Sequence, residues 1–212
     1  FPVFNSQEVC ITYSKLKIGH SYSWDTIILA ELPFVHRIET VKAGNLTYII
    51  AATLCGGKDF TEDWSRPGAV YAGVLDDIGI NLELKPILHG ISKNHGMYKI
   101  RHYEQEKILI SGMEGLYEIY LKNDKYMCWE SKKIIEGEIS DIASYDIDGD
   151  GNDEIIAIQP FHGDKLVIYK MLDGKYQAVF ERAINFGHVV WAGTILGKRG
   201  IVIGNRGGDK SL

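Results

Sequence analysis

Four segments of this 212-residue chain repeat one pattern. HRIETVKAGNLTYIIAATL begins at His36, HGMYKIRHYEQEKILISGM at His95, SDIASYDIDGDGNDEIIAIQ at Ser140 and HVVWAGTILGKRGIVIGN at His188. Each joins a short strand-like run to an apolar, β-branched one through a polar turn. The starts are separated by 59, 45 and 48 residues, near the roughly 40–50-residue period of propeller blades. A unit of this size cannot bury both faces of its own sheet, so it must stack on its neighbours.

After each of the first three segments come two more strand-like runs: AVYAGVLDD with INLELKPIL, LYEIYLKND with KYMCWESKKI, and KLVIYKML with YQAVFERAI. Turn signals such as KND at 122–124 and DGK at 173–175 separate the members of a pair. Four strands per unit with almost no helical periodicity predict an all-β fold, a β-propeller of four-stranded blades. A sandwich also has many short strands, but not so regular a repeat. Residues 1–212 then form one propeller region: a partial blade at 1–34, blades at 35–90, 91–137 and 138–184, and a partial blade at 185–212. The two partial blades either pair and close a small ring or belong to a larger one. Rings of about six to eight blades are commoner, so the expectation is a fragment whose partners include the remaining blades of the same propeller.

Between the apolar runs of the third segment lies DIDGDGNDE, Asp146 to Glu154. Asp146, Asp148 and Asp150 alternate with small or apolar residues, and Gly151 permits a sharp turn that returns the Asn152 carbonyl and the Glu154 carboxylate to the same point. Oxygen ligands at positions 1, 3, 5, 7 and 9 with glycine at 6 describe a cage for a hard cation. An EF-hand would add a bidentate Glu at position 12 and flanking helices. Here position 12 is Ala157 and both flanks are rich in Ile. The expected ion is Ca2+, held in a loop between strands. The competing expectation is a solvated acidic hairpin without metal.

Bulk properties exclude several classes. With 23 basic and 28 acidic residues the net charge is −5, which argues against a nucleic-acid surface. No run approaches the roughly 18 apolar residues of a membrane span. Cys10, Cys55 and Cys128 are odd in number and widely spaced, which predicts ordinary thiols rather than disulfides or a zinc knuckle. No nucleophile elbow, phosphate loop or dinucleotide fingerprint is present.

The Asp146–Glu154 loop between strands resembles the FG-GAP or VCBS type of calcium-binding propeller repeat, found in integrin heads and many bacterial and fungal proteins. KAGN, EQE and LGKRG replace the motif in the other units, so those blades are expected to be metal-free. The histidines that start the segments also resemble those in the propellers of aldos-2-ulose dehydratase and ulvan-type polysaccharide lyases.

In a propeller the first strand of each blade lines the channel, and the turn after it lies on one face. The acidic loop is such a turn. His36, His95, Ser140 and His188 would then lie together at the opposite face, with the loops 55–68, 159–165 and 204–210. Satisfied core histidines are one expectation for the three imidazoles. The functional ones are an acid–base cluster and a site for Zn2+ or another transition metal. On the loops, Lys58 and Arg206 are candidate cations, and Trp64, Arg66, Asp59 and His162 are candidate contacts for a small-molecule or oligosaccharide ligand. Trp64 pinning its loop, and Arg66 pairing with nearby acids, are the structural alternatives. His95 or His188 as base and a cation at the enolate would suit a carbon–oxygen lyase, and the dehydratase and lyase resemblance implies a carbohydrate substrate. The FG-GAP resemblance implies instead a non-catalytic binding module for carbohydrate or protein.

Overall fold

The computed structural model describes residues 9–19, 21–75, 82–102, 105–122 and 128–207. They form only strands and connections. Sheet one pairs β1 (Cys10–Ile18) with β2 (Tyr22–Glu31). Three four-stranded antiparallel meanders follow: β3 (Val35–Ala43), β4 (Leu46–Thr53), β5 (Gly68–Leu75), β6 (Lys85–Ile91); β7 (Met97–His102), β8 (Gln105–Gly112), β9 (Gly115–Leu121), β10 (Trp129–Ile135); β11 (Ile142–Tyr145), β12 (Glu154–Gln159), β13 (Lys165–Leu172), β14 (Lys175–Ala183). The last sheet pairs β15 (Gly187–Ile195) with β16 (Lys198–Asn205). Part of the KND turn and the first residues of INLELKPIL lie outside the described residues.

The chain comprises two compact units, Phe1–Ser92 and Lys93–Leu212. In the second unit β12 explains the packing. Every residue from Glu154 to Ile158 is buried, because both faces of its sheet are covered and strict polar alternation has no solvent side to serve. Ile155 and Ala157 point into a cluster with Leu109, Leu116, Ile135, Ile139 and Ile142. Ile156 and Ile158 point the other way, to Ala143, Leu166, Val190 and Ala192. The strand period of two thus sends alternate residues to the sheets on either side. Burial fades outward: β14 is exposed along almost its whole length. In the first unit Ile11, Leu29 and Leu32 pack on Ile49 and Ala51.

Tight turns follow local chemistry. Asp173 and Gly174 both have positive φ, 51° and 78°, the type I′ geometry that matches the twist of the β13–β14 hairpin. Leu196 and Gly197 repeat it between β15 and β16. Among the described residues no helix is long and apolar enough to cross a membrane. The three cysteines are free thiols. Cys55 is buried, and desolvation pushes its pKa up, which keeps it an unreactive thiol.

Candidate functional site

The two ends of β7, β11 and β15 in the Lys93–Leu212 unit carry distinct polar groups. At the end where these strands begin, His95 precedes β7, His188 opens β15, and His162 stands on the loop between β12 and β13. Their ring centroids are 4.8 Å apart for His95–His188, 5.1 Å for His95–His162 and 4.9 Å for His162–His188. One donor nitrogen from each lies within 4.8 Å of the others. His95 is buried, whereas His162 and His188 are half-buried and reach solvent.

His162 joins the cluster because the third meander differs from its neighbours. Its strand-start position holds Ser140, whose Oγ accepts a hydrogen bond from the His162 backbone N–H at 3.2 Å. The hydroxyl thus anchors a loop that supplies the imidazole its own position lacks. The Gly187 N–H donates to the Gly163 carbonyl at 2.7 Å, tying the His162 loop to the start of β15. Beside His95, Ser111 Oγ accepts from Gly96 N–H at 3.1 Å, and Asn94 Nδ2 donates to the Ser111 carbonyl at 2.7 Å. Apolar rings wall the cluster: Phe161 stacks on His162 at 4.0 Å, and Phe186 lies 5.4 Å from it.

Glycine beside each histidine is a packing requirement. A Cβ on Gly96 would lie 2.4 Å from Ser111 Oγ and 3.0 Å from the Asp141 Cα. At Gly163 it would fall 2.2 Å from the Gln159 carbonyl oxygen, and backbone cannot yield as a side chain can. Gly163→Ala should therefore move His162 out of ring contact at a cost of about 1–3 kcal/mol. Altered imidazole NMR shifts with an unchanged β-sheet circular dichroism spectrum are the expected signature.

The sequence-based candidates divide between the units. His95, His162, His188 and Arg206 belong to Lys93–Leu212, with the Arg206 guanidinium 5.6 Å from the Phe186 ring. His36, Lys58, Asp59, Trp64 and Arg66 belong to Phe1–Ser92. His36 is exposed at a bulge between Val35 and Arg37, two residues after Phe34 at φ 58°. His188 occupies the same kind of bulge, two residues after Phe186 at φ 52°. The 55–68 loop is organised by its own side chains: Lys58 Nζ lies 3.2 Å over the Trp64 ring, and Arg66 reaches Asp59 at 2.7 Å and Asp63 at 3.4 Å. Bonds from Ser65 hold the Asp63 carboxyl well below the usual range. Two groups were not legible in advance. Lys93, 2.7 Å from Glu138 and 5.6 Å from the Phe161 ring, adds a cation at the histidine end. Phe161, next to His162, and Phe186, two residues before His188, had no signal beyond that proximity.

At the other end of β11 lies the acidic loop. Oxygens of Asp146, Asp148 and Asp150 fall within 4.8 Å of one another. Gly149 and Gly151 take φ of 87° and 90°, which lets Asp146 accept from both their N–H groups at 2.6 and 3.2 Å. Asn152 donates its backbone N–H to Asp150 at 2.9 Å. Glu154 is 2% exposed; its Oε2 accepts from the Ile147 N–H at 3.0 Å, while its Oε1 is buried without a hydrogen bond. Carboxylates clustered in this way are the donor type that a hard divalent cation takes. The charge is meanwhile offset by Lys170, which pairs with Asp148 and, at 2.6 Å, with Asp150, and lies 3.5 Å from Glu154. Arg199 approaches Asp146 at 3.6 Å.

The bond from Lys170, and next that from the Asn152 N–H, lower the Asp150 pKa. A lowered carboxylate pKa stabilises the fold above the unfolded value near 3.9 and ceases to do so as pH falls through the folded value. In chelator, the denaturant midpoint should therefore drop on acidification below about pH 4, and Asp150→Asn should make that drop shallower.

No protein-family model matches this chain. No curated protein sequence matches it either.

Proposed function

We propose that the chain is part of a calcium-stapled β-propeller whose histidine end, in the Lys93–Leu212 unit, carries out elimination on a sugar-derived acid. Repeated four-stranded meanders packed face to face support the propeller reading. The observation that carries the functional reading is the convergence of three imidazoles at one strand end, two of them open to solvent. His188 takes the proton from the carbon next to a carboxylate. Arg206 and Lys93 stabilise the enolate that results. That electron pair then forms a carbon–carbon double bond as the adjacent carbon–oxygen bond breaks, and His162 gives its proton to the departing oxygen. Ca2+ at Asp146, Asp148, Asp150, Glu154 and the Asn152 carbonyl would secure the β11–β12 turn away from this chemistry, since an ion bound only by the folded state stabilises it.

The second reading is a binding module. The internally paired 55–68 loop favours it, because a pre-ordered loop loses little freedom on meeting a ligand. A panel of uronate oligosaccharides and keto sugars, followed by ultraviolet absorbance of the new double bond, separates the two. Accumulating absorbance supports elimination. Calorimetric binding without conversion across the panel supports the module.

A further inference from the structure

We infer that His95, His162 and His188 form a binding site for one divalent transition metal of the zinc class, with an open coordination position toward solvent. The inference rests on the three imidazoles described under Proposed function but gives them a different role, since a nitrogen that ligates an ion exchanges no proton, and metal binding therefore stands or falls without turnover.

Three nitrogen donors suffice for such a site. Catalytic zinc is commonly held by three protein ligands with water in the fourth place. Imidazole suits zinc, copper, iron and nickel, whereas calcium and magnesium take oxygen. The donors here come from three separate chain segments and are all imidazole, so the set would select against the calcium proposed for the acidic loop.

The geometry is close to what an ion needs. Metal–nitrogen bonds of about 2.0–2.1 Å in a tetrahedron place nitrogens about 3.4 Å apart. The three donors lie within 4.8 Å. The remaining ångström or so is within what rotation of the rings about their side-chain bonds would close.

That backbone is already fixed beside each ligand, through Ser140 to His162, Ser111 to the Asn94–Gly96 segment, and the Gly187–Gly163 bond between the other two histidines. Pre-positioned ligands reduce the ordering cost of binding. Phe161 and Phe186 lie against the His162 ring on the sides. His95 is buried whereas His162 and His188 are half-buried, so a substrate carboxylate or a water would reach the free position from the side of these two.

The ligand roles also account for the residue types around them. Glycine beside each histidine leaves room for this close approach of three chain segments.

The test uses tag-free protein of this full chain, stripped with chelator and titrated with Co2+. The expected result is one equivalent bound, with the intense visible absorption of a four-coordinate cobalt centre, displaced by Zn2+ and unaffected by millimolar Ca2+. His162→Ala and His188→Ala should each weaken cobalt binding at least ~100-fold, more than the loss seen when only a supporting residue is removed. His102→Ala, at the far end of β7, should leave it unchanged, and circular dichroism should show all three variants folded. Absence of cobalt uptake by the wild-type chain overturns the inference, as does full binding by folded His162→Ala. Metal bound without turnover upholds it while removing the elimination reading. Turnover by protein that takes up no cobalt overturns it while leaving that reading in place.

Discussion

Changing His188 to Gln should lower turnover of the true substrate by roughly 100- to 10,000-fold while leaving the fold intact. Gln has similar reach and a hydrogen-bonding amide, but it exchanges no proton near neutral pH and is a poor ligand for zinc. Loss of general acid–base help has that magnitude. The same variant removes a donor if the imidazole holds an ion, so the direction is common to both roles. His188 is half-buried beside solvent and opens β15 at a bulge, so the substitution needs no repacking. Full activity of His188→Gln on a substrate that the wild-type chain converts would remove the cluster from the chemistry.

Ile156→Ala should have the largest effect on stability. Ile156 is fully buried, pairs with Ala143 and Ile168 on neighbouring strands, and packs with Leu166, Val190 and Ala192 of two sheets. Removing its outer carbons forfeits their transfer energy and leaves a cavity that β-sheet backbone cannot close, a loss of about 2–5 kcal/mol. Many domains have only about 5–15 kcal/mol in total. Urea denaturation should therefore show a much lower midpoint with an unchanged slope. A shift below ~1 kcal/mol would mean that the two sheets do not share this core.

Much of the sheet pattern could be read from residue order alone. KLVIYKML and YQAVFERAI are β13 and β14, and the Asp173–Gly174 turn between them has the backbone its residues predict. The run IIAI reads as an apolar, β-branched strand, and it is one, buried along its length. Alternating period and turn residues act locally, so sequence carries them directly.

The histidine cluster was only half legible. His95 and His188 follow from the repeat register. His162 does not, because its place depends on a loop that crosses back over Ser140, and a loop path is set by tertiary hydrogen bonds rather than by periodicity. The His-Gly, His-Gly and Gly-His pairs at 95–96, 162–163 and 187–188 were the available signal, since glycine beside a bulky ring marks close backbone approach. The acidic loop shows the converse. Its ligand spacing is entirely local, but the counter-charge of Lys170, carried on β13, is not.

Anomalous diffraction from crystals grown with Zn2+ and Ca2+, recorded on both sides of the zinc edge, measures the division of labour between the two strand ends most directly. The account predicts an edge-dependent peak bonded to His95, His162 and His188, and a second peak without edge dependence among Asp146, Asp148, Asp150 and Glu154 at the other end of β11. No zinc peak between the three imidazoles, in crystals where the protein is otherwise as described, would contradict it.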